Sequence, residues 1–128
     1  MMQKSSLTPK SRINSFRYAF KGLRYGFKNQ VNIWIHLVAA ILVIVFGFYF
    51  QISIGEWIAL FLCIALVIGA ELINTAIEHL VDLVSPEYHP LAGKVKDIAA
   101  AAVLVFSIAS AAVGLLVFVP HFFEIKLI

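Results

Sequence analysis

Between positions 57 and 84 the chain is predominantly apolar, and four of its polar side chains recur at helical spacing: Glu71, Asn74, Glu78 and Asp82. Their offsets are i, i+3, i+7 and i+11. At about 100° per residue they fall within roughly 80° of one another on a helix. Three carboxylates and an amide thus form one narrow stripe in a segment long enough to cross a bilayer. A charge at mid-bilayer costs on the order of 2.5 kcal/mol or more, so such residues face a protein interior or a wet cavity. The stripe dictates both a membrane helix and a reason for it to pack, and the function is sought there.

Two further runs share the length and lack of charge. Residues 31–51 and 98–123 contain no Asp, Glu, Lys or Arg. The mean hydropathy is +0.95. About 20 residues span a hydrocarbon core, so three such runs predict three transmembrane helices in one domain. The expected fold is an all-α membrane protein, residues 1–128. Residues 1–11 are expected to be disordered, 12–29 to form a surface helix, and 31–54, 57–84 and 96–123 to be the spans. No uninterrupted apolar core precedes Val31, so the N-terminal segment does not read as a signal peptide.

Seven of the ten basic residues precede the first span, and Lys94 and Lys96 lie between the second and third. By the positive-inside rule the N-terminus and the loop 85–95 are cytoplasmic. The net charge of +3 therefore reads as a topology signal. No basic groove interleaves with stacking aromatics, which argues against nucleic acid as a partner. Cys63 is single, which excludes an internal disulfide, and reads as packing in the second span. His36, His79, His89 and His121 are scattered without zinc spacing.

In the segment 12–29, Phe16, Phe20, Leu23 and Phe27 repeat at helical spacing, and Arg17, Lys21, Arg24 and Lys28 follow one residue later. An aromatic stripe beside a cationic one suits a helix lying on an anionic membrane surface. Some of these cations could also reach a polyphosphate. In the third span Ala99–Ala102, Ser107, Ser110 and Gly114 allow close backbone approach, within the bundle or between copies.

Carboxylates and an amide near a lysine-containing loop suit a divalent cation. Mg²⁺ binds through one or two carboxylates together with substrate phosphates. Phosphoryl transfer needs that arrangement and a base beside the acceptor hydroxyl. Intramembrane carboxylates also serve proton and cation paths. On the stripe alone, a kinase and a non-catalytic transport or scaffold subunit are equally open. No P-loop or kinase-type glycine-rich loop is present, so any nucleotide site is unconventional.

The residues themselves go further. Glu71-Leu72-Ile73-Asn74-Thr75-Ala76-Ile77-Glu78, then Val81-Asp82, then Glu87-Tyr88-His89-Pro90-Leu91-Ala92-Gly93-Lys94-Val95-Lys96-Asp97 resembles the prokaryotic diacylglycerol kinase and undecaprenol kinase family. Phe20-Lys21-Gly22-Leu23-Arg24 is similar to that family's surface-helix segment. The resemblance covers about 16–117 and implies a bacterial inner-membrane lipid kinase. ATP would be the phosphate donor, Mg²⁺ the cofactor, undecaprenol or diacylglycerol the acceptor, and a homotrimer with shared active sites the assembly. It also implies roles. Glu71 would be the base that meets the lipid hydroxyl, and Asn74 would orient the reacting groups. Glu78 would hold the metal under the nucleotide. Lys96, Asp97, Glu87, His89 and Tyr18 would contact the nucleotide. Gln30 stands where the family usually has a second metal-binding glutamate; it keeps an oxygen ligand and loses the charge.

Overall fold

The structure, a computed structural model, describes residues 8–125. Four helices follow one another: α1 (Pro9–Asn29), α2 (Val31–Phe50), α3 (Ile54–Val84) and α4 (Pro90–Ile125). The described residues contain no strand. α2, α3 and nearly all of α4 are long and apolar enough to cross a membrane. The expected all-helical architecture, with three helices that could span a membrane, is the one observed.

The ends of these helices are written in the sequence by capping residues. Thr8 accepts the N–H of Ser11 through its hydroxyl, and Pro9 supplies a fixed φ at the first helical position. α1 therefore starts at Pro9, ahead of the expected position 12. Residues 9–11 are helical, and the expectation of disorder over 1–7 lies outside the described residues. α1 and α2 are separated by Gln30 alone, which is extended (φ −124°, ψ 112°). Across this break the Trp34 indole N–H donates to the carbonyl of Phe27 at 2.6 Å. Trp34 thus pins the two helices together as well as lying at a helix end.

α2 stops at Phe50, short of the expected 54, because Gln51 turns left-handed (φ 51°, ψ 50°). Gln51 N–H bonds Phe48 O, and Ile52 N–H bonds Gly47 O. This is a Schellman closure, and Ile52, which follows it, is buried in the apolar core. Ser53 and Glu56 then form a reciprocal capping box that starts α3 at Ile54, ahead of position 57. The second carboxylate oxygen of Glu56 lies 2.9 Å from His121 Nε2, which ties the start of α3 to the end of α4. Pro90 opens α4, so residues 91–95, expected in the loop, are its first turns.

α4 packs chiefly along α3, α2 packs against α3, and α2 and α4 touch little. The apolar core lies toward the α2–α3 turn, where Ile52, Leu60 and Val117 are buried beneath Trp57, Phe50 and Phe118. At Gly47 an added Cβ would lie 2.5 Å from the Trp57 ring, so this glycine is what lets α2 and α3 close there. Toward the opposite end three polar side chains, Glu71, Asn74 and Thr75, are buried along with the apolar Ile33, Ala99 and Val103. The outward faces of all three long helices are apolar, as a bilayer demands.

Candidate functional site at the polar end of the bundle

The helical period of the stripe places its members at graded depth on one flank of α3. Glu71 is 3% exposed and Asn74 is 8% exposed. Glu78 is half-buried and Asp82 is exposed. The stripe therefore faces protein at its inner end and opens at the α3–α4 turn. Glu71 and Glu78 point to the same flank, as a shared site requires.

Each buried polar group has a definite setting. Glu71 Oε1 lies 3.1 Å from His36 Nε2 on α2. Thr75 spends its hydroxyl on the Glu71 backbone carbonyl at 2.9 Å, leaving the Glu71 carboxylate untouched. Asn74 Nδ2 donates to Glu78 Oε1 at 3.1 Å. Asn74 Oδ1 is buried and has no hydrogen-bond partner. A buried oxygen left without a donor is costly, which makes it a ready ligand for an incoming donor or cation. Beside it stands the Glu78 carboxylate. Among the described residues no group of three or more His, Cys, Asp or Glu is arranged to hold a metal. An all-oxygen pair without a protein-only cage fits Mg²⁺, which keeps waters and completes its shell with phosphate.

The loop residues gather separately. A cleft of about 300 Å³ at the α3–α4 turn is lined by Asp82, Glu87, Tyr88, His89 and Lys96 among others. Lys96 donates to Asp82 from the first turns of α4. His89 Nδ1 accepts the N–H of Leu91 at 3.1 Å, so this ring caps α4. Glu87 uses its backbone carbonyl to accept from Ser85 and is otherwise exposed. The structure thus brings together Glu87, His89 and Lys96, and in a second group Glu71, Asn74 and Glu78. Tyr18, Gln30 and Asp97 do not line the loop cleft. Tyr18 is exposed on α1 with the Lys21 ammonium 5.7 Å from its ring centre. Gln30 is half-buried at the α1–α2 break, and Asp97 is exposed.

The surface helix reaches this end of the bundle through Gly26, where an added Cβ would sit 2.5 Å from Leu72 of α3. Alongside, the Tyr25 hydroxyl lies 3.5 Å from His79 Nε2. The reading from sequence missed His36. Its one signal was position: from Ile35 to Phe48, α2 carries no other polar side chain.

Fold and site together define a multi-pass helical membrane protein with a carboxylate–amide site buried at one end of its bundle. The prokaryotic diacylglycerol kinase family matches residues 17–118. The undecaprenol kinase of Bacillus subtilis strain 168 is 44% identical over 106 residues, covering 83% of this chain and 86% of that protein. The diacylglycerol kinase of Escherichia coli K12 is 32% identical over 110 residues, covering 86% of this chain and 90% of its own. That of Synechocystis is 43% identical over 101 residues, covering 78% of this chain and 58% of the relative. The chain belongs to the prokaryotic diacylglycerol kinase family of integral membrane lipid kinases.

Proposed function

We propose that the protein transfers the γ-phosphoryl group of ATP to a membrane lipid alcohol at the cytoplasmic face of the bacterial inner membrane, with Mg²⁺ as cofactor. Undecaprenol is the preferred acceptor and diacylglycerol the alternative, an order supported by the higher identity to the undecaprenol kinase. The observation that carries the reading is the buried Glu71 carboxylate on the same flank of α3 as the Asn74–Glu78 pair.

In this reading Glu71 takes the proton from the lipid hydroxyl. The oxygen attacks the γ-phosphorus, a new P–O bond forms, and the bond to the β–γ bridging oxygen breaks. ADP leaves with that electron pair. Asn74 orients the groups between base and phosphate. Glu78, with the free oxygen of Asn74 and with Gln30, would hold Mg²⁺, which when bound neutralises phosphate charge. Lys96 exchanges Asp82 for a phosphate oxygen, and Asp97, Glu87, His89 and Tyr18 surround the nucleotide. A homotrimer in which neighbouring chains complete each site would account for Gln30 and Tyr18, which do not line the loop cleft of their own chain.

The test is phosphate transfer from labelled ATP by purified protein in lipid vesicles, with undecaprenol and with diacylglycerol. The folded wild-type protein is expected to label undecaprenol more efficiently. Glu71→Gln is expected to reduce turnover by about 10²–10⁴-fold, the usual worth of a general base. Lys96→Ala is expected to weaken ATP use, which a proton path would not require. Transfer to neither lipid overturns the proposal.

A further inference from the structure

The base of the proposed reaction has one side-chain partner, and it comes from another helix. His36 Nε2 lies 3.1 Å from Glu71 Oε1. Among the described residues no other side chain hydrogen-bonds that carboxylate, since Thr75 is turned to the backbone. A carboxylate only accepts hydrogen bonds, so an ionised Glu71 requires the hydrogen on Nε2. That bond fixes Oε1 and leaves Oε2 free.

Next to the pair is a cleft of about 280 Å³. Asn32, His36, Glu71 and Ser107 supply its polar lining, and Val103 and Leu104 of α4 contribute apolar wall. A second, apolar groove of about 240 Å³ shares His36 and Ser107 and continues past Val67 and Cys63 toward Gly114. His36 therefore stands where an open, partly polar cleft meets an apolar groove. A fatty alcohol has that shape: a hydroxyl head and a hydrocarbon tail. A histidine in a membrane span is costly without a partner, and here the partner is the base itself.

Resting on the lipid-kinase reading above, we propose that His36 is a positioning residue that holds the Glu71 carboxylate with one oxygen anchored and the other turned to the acceptor hydroxyl. A misplacement of about 1 Å in a reacting group can lower a rate by roughly 10²-fold. Loss of the anchor acts on turnover and leaves nucleotide binding alone, since His36 does not line the loop cleft.

The test compares His36→Leu with His36→Gln in vesicles containing undecaprenol or diacylglycerol and labelled ATP. Leucine is at home in a membrane span and removes the hydrogen bond, while glutamine retains an N–H donor. Leucine is expected to lower kcat by about 10- to 100-fold with the KM for ATP unchanged. Glutamine is expected to recover most of that loss, and both variants to match the wild type in oligomer size. Equal activity of the leucine variant and the wild type overturns the role of His36, as does an equal fall in both variants. A rise in the KM for ATP in place of a fall in kcat also overturns it. A wild-type protein that labels neither lipid overturns the kinase reading instead, and with it this proposal.

Discussion

In the proposed mechanism the ion pair between Lys96 and Asp82 sets how Lys96 would meet a nucleotide. Their side chains are 37% and 61% exposed. An exposed pair of this kind contributes at most about 1 kcal/mol, so it holds Lys96 in readiness without trapping it. In the proposed metal site Gln30 would bring an oxygen ligand without a charge. If it faces the metal from α1–α2 of a neighbouring chain, restoring a carboxylate should tighten the site. Gln30→Glu is expected to lower the Mg²⁺ concentration giving half-maximal turnover several-fold at fixed ATP; an unchanged titration removes position 30 from the metal site. At this scale the stripe was legible in the sequence because helical period alone puts Glu71, Asn74 and Glu78 on one flank. The His36–Glu71 bond was not, because it joins residues on separate helices and depends on how α2 rotates against α3. The capping role of His89 was hidden for another reason: the extent of α4 had first to be known.

Helix ends show which local rules carry weight. The hydrophobic runs locate the helices, yet the boundaries follow Thr8, Ser53 with Glu56, and the prolines at 9 and 90. Pro9 and Pro90, which fall within the segments expected to be disordered (1–11) and loop (85–95), in fact open two helices, since a first-turn proline loses no intrahelical bond. Gln51 holds a left-handed conformation that costs a non-glycine residue about 1 kcal/mol. Gln51→Gly is therefore expected to stabilise the folded protein by about 0.5–1 kcal/mol. Four residues earlier the sign reverses. Alanine improves helix propensity over glycine by about 1 kcal/mol, but its methyl at position 47 meets the rigid Trp57 ring. The overpacking penalty of about 1–3 kcal/mol is expected to prevail. Gly47→Ala should lower the unfolding midpoint in detergent, and Gln51→Gly should raise it. The same methyl at Gly26 crowds the tip of Leu72, which can turn aside, and makes ordinary contact with Ile33, so Gly26→Ala should cost less than Gly47→Ala.

The whole molecule is thin. Three long helices, with α4 lying mainly on α3, leave most apolar side chains on the outside. Bilayer lipid and neighbouring copies are the surroundings such a surface fits. By the positive-inside rule the basic residues of the sequence predict that the α3–α4 turn faces the cytoplasm. In a background carrying Cys63→Ala, a membrane-impermeant thiol reagent should label Ile54→Cys in intact cells. It should label Tyr88→Cys only after the inner membrane is breached, and the opposite pattern would reverse the assigned orientation. Both positions are exposed, so accessibility turns on the side of the membrane. The mouth of the Glu71 chamber bears on kinetics at this scale. Its rim includes the exposed apolar residues Ile35, Ala100 and Leu104, a surface suited to face acyl chains. An alcohol entering there diffuses in two dimensions within one leaflet. The quantity that saturates such a catalyst is then the mole fraction of substrate among the lipids: diluting the vesicles in buffer leaves the rate per catalyst unaltered, while diluting the alcohol with inert phospholipid lowers it.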